Sequence, residues 1–249
     1  MEIEQNRYFV PLELPKNGEK ITVDGVEIVS YPATMVSKHV IIDNSAIFDT
    51  GSPNTIFKAQ NPHLFEAIKM HLKVDANALI GTDNMCRKNI RLDLEHGLYH
   101  EIAHTLQTIE VSPSVAEVTD HITEAEILRR YSANPLPFVN VKIEDLTVRC
   151  LFDTGAQIGY LPGIIVRQLG LKEVRKMTDF NPIMGKWETG VYEANVVMDD
   201  VAMRLSFGIL PDRYDGRYFI VGNEVLKHAV LLMDLYHHSI ALQPHSVAS

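Results

Sequence analysis

The stretch that decides the fold is Ala46-Ile47-Phe48-Asp49-Thr50-Gly51-Ser52, and a second version, Cys150-Leu151-Phe152-Asp153-Thr154-Gly155-Ala156, follows 104 residues later. In both copies an apolar run ends in Asp-Thr-Gly and a small residue. The apolar run is typical of a buried strand, and the glycine supplies the backbone freedom that a tight turn needs. Each turn is therefore predicted to place one carboxylate at the end of a strand.

Two such turns in one chain suggest that Asp49 and Asp153 meet. Like charges at close range cannot both ionise, so one Asp keeps a proton while the other loses it. Such a pair supplies an acid and a base together, which is what splitting an amide with water requires. Asp49 and Asp153 are therefore candidate catalytic residues.

Length and composition limit the class of protein. The 249 residues suffice for one large domain or two lobes, each with a real core. A hydrophobic content of 46% and a charged content of 22% are typical of a soluble globular protein. The net charge of -9 argues against nucleic acid or an anionic membrane as a partner, because both need a basic face. We expect neither partner, and no cofactor or metal.

The cysteines and the first residues bear on location. Cys86 and Cys150 lie near apolar stretches without a ladder of spacings, which favours free thiols in a reducing compartment over a disulfide. The start, from Met1 to Gln5, is acidic and polar and lacks a cationic region followed by an apolar one. These features predict a cytoplasmic protein.

An internal repeat relates the two halves of the chain. Ile80-Gly81 followed by Leu92-Asp93-Leu94 matches Val221-Gly222 followed by Met233-Asp234-Leu235, each position being displaced by 141 residues. The Asp-Thr-Gly turns are displaced by only 104 residues. The second half therefore holds 37 extra residues, the difference between 141 and 104, between its turn and its later glycine.

A Pro-rich linker separates the halves at Ser132 to Pro137, so we place an N-terminal lobe at 1–131 and a C-terminal lobe at 132–249. The extra residues of the second lobe lie between about Met177 and Pro211 and contain a hairpin-like stretch. Such a hairpin can fold over a cleft and exclude water. Its candidate contact residues are Met184, Gly185, Trp187, Gly190 and Tyr192, with Trp187 predicted at the tip.

With these features the chain resembles the aspartic proteases of the pepsin and retropepsin group. Leu151 to Gln157, Leu169-Gly170-Leu171, the hairpin and Ile220 to Asn223 resemble one retropepsin protomer, whereas Phe48 to Asn54 resemble the pepsin version of the turn. The resemblance implies a mainly β, bilobal acid-protease fold, with two β lobes around a cleft and a few short helices. In this group the hairpin over the cleft is called the flap, and here only the second half has room for one.

The resemblance also implies an activity. Asp49 and Asp153 would form the catalytic dyad, and a water activated between them would attack the peptide carbonyl. Thr50 and Thr154 would lock the two turns together. The remaining supporting residues would be Gly51, Ser52, Gly155 and Ala156. The expected partner is a peptide or protein substrate in an extended conformation. We expect a monomeric single-chain pseudo-dimer, with a homodimer as the alternative.

Ser52 and Ala156 differ, and this difference predicts unequal acids. A hydroxyl that donates to a carboxylate favours its ionised form, and Ala156 has none to donate. If the Ser52 hydroxyl donates to Asp49, then Asp49 ionises more readily than Asp153.

Two other functions are compatible with the sequence. An inactive relative could keep the fold as a protein-binding module. Alternatively, His100-Glu101-Ile102-Ala103-His104 matches the His-Glu-x-x-His pattern of zinc peptidases, with Glu124 or Glu126 as a third ligand. That pattern binds zinc only on a helix, where the two histidines share a face.

Overall fold

The chain is built mainly from β-strands. The structure is a computed structural model, and it describes residues 20–23, 26–86, 88–103, 136–211, 219–235 and 239–245. The strands are β1 Lys20–Val23, β2 Val26–Val36, β3 His39–Ile42, β4 Ala46–Phe48, β5 Ile56–Phe57, β6 Ala78–Ile80, β7 Lys88–Asp93, β8 Leu98–Ala103, β9 Phe138–Ile143, β10 Leu146–Phe152, β11 Gly159–Tyr160, β12 Glu173–Asn181, β13 Gly185–Met198, β14 Val201–Gly208, β15 Ile220–Val221, β16 Ala229–Asp234 and β17 Ser239–Pro244. The helices are α1 Pro62–Leu72, α2 Thr82–Met85, α3 Gly163–Gln168 and a 3-10 helix, Asn223–Lys227. The mainly β prediction is confirmed.

The strands form two sheets. Within the described residues, one sheet has ten strands in the order β17-β16-β7-β8-β2-β3-β4-β6-β5, with β1 paired to β2. The other has seven strands in the order β12-β13-β14-β11-β15-β10-β9. The larger sheet thus contains β16 and β17, which come from the end of the second half. The predicted boundary between residues 131 and 132 lies outside the described residues.

The sequence repeat appears as a local two-fold relation between β7 and β16, which pair antiparallel. Three successive cross-strand pairs are Ile90 with Met233, Arg91 with Leu232 and Leu92 with Leu231. Adding 141 to Ile90 gives Leu231, and subtracting 141 from Met233 gives Leu92, so the repeat exchanges the first pair with the third. The pair Arg91 and Leu232 therefore lies at the centre of the relation, and the two halves meet there as equivalent partners.

The short parallel pairings of the two halves also match each other. Ile47 and Phe48 of β4 pair with Leu79 and Ile80 of β6. In the second half, Leu151 and Phe152 of β10 pair with Ile220 and Val221 of β15. These strands are short and apolar because they cross the core, where parallel strands are covered on both faces.

A core shared by both halves holds the sheets together. Phe48 and Phe152, each just before an Asp-Thr-Gly turn, are fully buried in one hydrophobic cluster. Leu92 and Leu231 are fully buried in the same cluster. Side chains of the two halves therefore leave water together when the chain folds, which couples their stabilities.

Helix α1 belongs to the first half and lies between β5 and β6. It begins where the Asn61 side chain accepts a hydrogen bond from the Leu64 N–H at 3.2 Å and Pro62 occupies the first turn. It ends at Lys73, whose backbone is left-handed at a φ of 61°. None of the helices in the described ranges has the length and apolar character of a membrane span.

The β7–β16 register can be tested by paired truncation. Leu92→Ala and Leu231→Ala should each lower the free energy of unfolding by about 2–5 kcal/mol, because each leaves a cavity in the core. Because the two side chains are direct cross-strand neighbours, the double variant should lose less than the sum by about 0.5 kcal/mol or more.

Denaturant unfolding of the four proteins measures this coupling. Val174→Ala is the surface control, since Val174 is 51% exposed, and it should change stability little. Additivity of the two core truncations within about 0.3 kcal/mol would contradict the register.

Candidate active site

Both Asp-Thr-Gly turns begin where a central parallel strand ends. Hydrogen bonding continues one residue beyond each strand. The Asp49 N–H donates to the Ile80 carbonyl at 3.0 Å, and the Asp153 N–H donates to the Val221 carbonyl at 2.9 Å. The sheets themselves therefore fix the backbone from which each carboxylate projects.

Thr50 and Thr154 tie the two turns together by four crossed hydrogen bonds. The Thr50 hydroxyl donates to the Phe152 carbonyl at 2.5 Å and accepts from the Thr154 N–H at 2.9 Å. The Thr154 hydroxyl donates to the Phe48 carbonyl at 2.8 Å and accepts from the Thr50 N–H at 3.0 Å. Both threonines are fully buried. We call this arrangement the threonine lock.

Above the lock, the Asp49 and Asp153 carboxyl groups lie within hydrogen-bonding contact of each other. Asp49 Oδ1 accepts from the Gly51 and Ser52 N–H groups at 3.0 and 3.1 Å. Asp153 Oδ1 accepts from the Gly155 and Ala156 N–H groups at 2.9 and 3.2 Å. Each carboxyl group is therefore oriented by its own turn and directed at the other.

Glycine is required in both turns because the carboxyl groups pass so close to the opposite backbone. A Cβ atom added to Gly51 would lie 2.3 Å from the carboxyl carbon of Asp153, and one added to Gly155 would lie 2.5 Å from Asp49 Oδ1. Real Cβ contacts are never so short. The third residue of each motif thus makes room for the acid of the other half.

Burial raises the pKa of Asp49 well above its usual value, and the neighbouring Asp153 charge raises it further. Burial also raises the pKa of Asp153, which the N–H donors around it partly oppose. Because both acids resist ionisation, the pair holds a proton at a pH where an exposed Asp would be charged. It titrates as one coupled unit.

The predicted role of the Ser52 hydroxyl is wrong. Ser52 Oγ donates to the Asn54 carbonyl at 2.9 Å and so stays within its own turn. The backbone N–H groups of Ser52 and Ala156 instead make equivalent bonds to Asp49 and Asp153. The residue after each glycine therefore contributes its amide, and the side-chain difference does not reach the carboxyl group.

A cavity of about 540 Å³ lies over the two acids. Seven pairs of its lining residues are related by the repeat, four of them within the two turns and the residues that follow. The other three pairs are Ile47 and Leu151, Ile56 and Tyr160, and Leu79 and Ile220. The cavity is thus formed by both halves, with the acids at its centre and an apolar lining on each side.

The hairpin predicted over the cleft is present as β12 and β13, but Trp187 does not lie at its tip. The Asn181 side-chain oxygen accepts from the N–H groups of Ile183 and Met184 at 2.8 and 3.2 Å, which makes the turn there. Trp187 pairs with Asp179, two pairs down from the tip. Its ring packs beside Tyr160, with ring centroids 5.9 Å apart.

The five predicted contact residues of the hairpin divide into two groups. Met184 and Trp187 line the cavity. Gly185 closes the turn with a φ of 78°, and Gly190 and Tyr192 lie further along β13, outside the lining. Between Asp49 and Gly81, all of which is described, the first half has no comparable hairpin.

Sequence reasoning missed two polar residues in the cavity that join the halves. His39 of β3 is buried and lies 3.2 Å from the Gln157 side-chain nitrogen, beside the second turn. Burial lowers the pKa of His39, which favours the neutral ring, and the ring also hydrogen-bonds the Gly155 backbone. The contact spans 118 residues of sequence. No local pattern could have indicated it.

Tyr160 and Asp179 form a second polar contact that the sequence did not indicate. The Tyr160 hydroxyl donates to Asp179 Oδ2, and the Phe180 N–H donates to Asp179 Oδ1 at 2.7 Å. Burial raises the pKa of Tyr160, which keeps its hydroxyl protonated as a donor. The bond joins the strand behind the second turn to the hairpin above it.

The zinc arrangement is contradicted by the backbone. His100 and Glu101 lie in β8, a strand in which neighbouring side chains point to opposite faces. His104, Glu124 and Glu126 lie outside the described residues. Within the described ranges, no group of three or more His, Cys, Asp or Glu side chains could hold a metal ion.

No protein-family model and no curated protein matches this sequence. Among solved structures, the chain is similar to the simian foamy virus (mac) protease determined in solution, at 14% identity and a TM-score of 0.28. The similarity covers 35% of this chain and 88% of the viral protease.

The threonine lock can be tested with two substitutions at one position. Thr50→Val keeps the shape but leaves the Phe152 carbonyl and the Thr154 N–H unpaired, so it should lower the free energy of unfolding by about 2–5 kcal/mol. Thr50→Ser keeps the hydroxyl and should lose about 1 kcal/mol for its missing methyl group. Denaturant unfolding compares the two, and equal losses would show that the hydroxyl does not carry the stabilisation.

The raised pKa values of the acids predict how stability depends on pH. Because the folded state holds its proton more tightly than the unfolded chain does, the pair stabilises the fold at low pH. That contribution is lost as pH rises from the unfolded Asp pKa towards the higher folded values. Asp49→Asn, which stays neutral, should therefore be more stable than the wild type at neutral pH.

Unfolding free energies measured between pH 3 and pH 8 test this dependence. The advantage of Asp49→Asn should shrink towards low pH, where the wild-type pair is already protonated. Asp145→Asn, in an exposed turn, is the matched control. A difference between Asp49→Asn and wild type that is the same at every pH would contradict the assignment.

Proposed function

We propose that this protein is an aspartic endopeptidase with a bilobal acid-protease fold, active as a single-chain pseudo-dimer. The observation that carries the proposal is the pair of buried carboxyl groups. Asp49 and Asp153 come from matching turns, share a hydrogen bond and have raised pKa values beneath a cavity lined by both halves. Two acids so placed can hold one proton between them, as general acid–base hydrolysis requires.

The proposed reaction uses both carboxyl groups at once. The ionised Asp takes a proton from a water, and the hydroxide that forms adds to the peptide carbonyl carbon. The protonated Asp gives its proton to the carbonyl oxygen, so the intermediate is a neutral diol. The first Asp then gives its new proton to the amide nitrogen while the second Asp takes a proton from one hydroxyl of the diol, so the C–N bond breaks and releases an amine and a carboxylic acid. The first Asp is again ionised and the second is again protonated.

The surroundings of the pair support these steps. The threonine lock holds the two turns at a fixed separation, which keeps both acids within reach of the same water. The β12–β13 hairpin covers the cavity and would exclude bulk water, which strengthens electrostatic interactions inside. An extended peptide fits a cleft bordered by strands, where its backbone can hydrogen-bond.

Two features favour one chain as the functional unit. The candidate acids come from the two halves of the same chain, and β7 pairs with β16 around a local two-fold centre. One chain thus contributes both equivalents of a symmetric pair. A protein or peptide substrate, a monomeric state and a cytoplasmic location remain predictions from the sequence.

Substitution of either acid tests the activity. With a library of extended, internally quenched peptides, Asp49→Asn and Asp153→Asn should each lower kcat/KM at least about 1,000-fold, because an amide can neither hold nor give the catalytic proton. The wild type should show a bell-shaped pH profile. A peptide with a secondary alcohol in place of the scissile amide should inhibit it, because that group resembles the diol.

The control for these variants is Asp145→Asn, which should cleave like the wild type, and unfolding curves establish that each variant is folded. Cleavage by Asp153→Asn at the wild-type rate would contradict the proposal. If the wild type binds the peptides but cleaves none, the protein is the inactive binding module.

A further inference from the structure

Some of the residues that line the two sides of the cavity are similar at matching positions, and others differ. Ile47 and Leu151, and likewise Leu79 and Ile220, are aliphatic at matching positions on the two sides. The next pair is unlike, because Ile56 on the first side corresponds to Tyr160 on the second. The divergence continues in the elements that extend each side.

On the first side, α1 completes the lining. Leu64, Ile68 and Leu72 line the cavity. They are spaced by four residues, so they form one stripe along the helix. Ile68 is fully buried, whereas Leu64 and Leu72 are half-buried. Between Asp49 and Gly81, all of which is described, the first half has this helix in place of a hairpin, so a helix face occupies the border of the cavity. We call this lining the aliphatic wall.

On the second side, two aromatic rings extend a lining that also contains Leu136, Met184 and Leu210. Tyr160 and Trp187 lie with ring centroids 5.9 Å apart and planes inclined by 51°. The Asp179 carboxylate, bound by the Tyr160 hydroxyl, also lines the cavity. This side, which we call the aromatic wall, is thus bordered by ring edges and faces and carries a polar margin.

The tip of the hairpin connects the two walls. Phe180 of β12 stacks on His71 of α1, with ring centroids 4.3 Å apart and planes inclined by 27°. The hairpin of the second half therefore lies against the helix of the first. The helix that forms the aliphatic wall also supports the cover of the cavity.

We infer that the cavity contains two unlike side-chain subsites flanking the acids, one against the aliphatic wall and one against the aromatic wall. This inference rests on the proposed function for the scissile bond, which would lie between the subsites. The preferred substrate is an extended peptide with a branched aliphatic residue on one side of that bond and an aromatic residue on the other. The volume of about 540 Å³ is within the range of small ligand sites, and apolar walls favour apolar side chains. Aromatic rings favour a third ring packed edge to face or offset.

Two variants each change one wall. Leu72→Ala shortens a side chain of the aliphatic wall and so enlarges the subsite beside it. The preference for an aliphatic over an aromatic residue at that position should fall about tenfold. Trp187→Leu removes a ring from the aromatic wall, and the preference for an aromatic residue at the other position should fall by about the same factor. Each variant should leave the preference at the opposite position unchanged.

The matched control is Met70→Ala. Met70 lies on the same helix but is 63% exposed and outside the cavity, so its truncation should change neither preference. If Leu72→Ala fails to fold, Leu64→Ala tests the same wall. Competition among peptides of a library that varies the residues on both sides of the cleaved bond measures the preferences.

A second readout separates this inference from the proposed activity. Reduced-amide peptides, which cannot be cleaved, are titrated against the Asp153→Asn protein with and without each wall substitution. Altered affinities with the predicted residue preference support the two subsites even if the wild type cleaves nothing. Cleavage with unaltered preferences in both wall variants would overturn the inference and leave the activity standing. Neither binding nor cleavage would overturn both.

Discussion

The four crossed hydrogen bonds of Thr50 and Thr154 are the constraint on which the rest of the site depends. They join the two halves through buried side chains at matching positions, each of which bonds the backbone of the other half. In a low-dielectric interior such bonds are strong, and an unmade one is costly, so the turns have a single favourable arrangement. That arrangement brings the acids of the two turns together.

Much of this arrangement could be predicted from the sequence because its causes are local. An apolar run, an Asp-Thr-Gly turn and a later apolar pair before Gly81 or Gly222 specify a strand, a turn and its parallel neighbour. The register of the hairpin could not be predicted in the same way. Its turn is set by the Asn181 side chain bonding two N–H groups and closes at Gly185, so Trp187 and Gly190 lie along the strand and not in the turn. The contact between His39 and Gln157 depends on the packing of distant elements, which no periodicity encodes.

The halves show how one framework can be extended in two ways. Both keep the central strands, the turn and the acid, where symmetry is required for the acids to meet. They differ outside this centre, because between the turn and the later glycine the first half has α1 and the second has the long β12–β13 hairpin. The hairpin contacts the helix through Phe180 and His71. The two halves therefore contribute different elements to the border of the cavity, a helix from the first half and a hairpin from the second.

The pairing of β7 with β16 has a consequence for folding during synthesis. Arg91 and Leu232 are neighbours in the sheet but are separated by 141 residues of chain. Contacts between such distant residues form late, because a long loop must close first. During synthesis, Asp49 emerges from the ribosome well before Asp153, β16 and β17 exist. Until the second half is made, the nascent chain therefore carries one acid without its partner, and the acid pair cannot form.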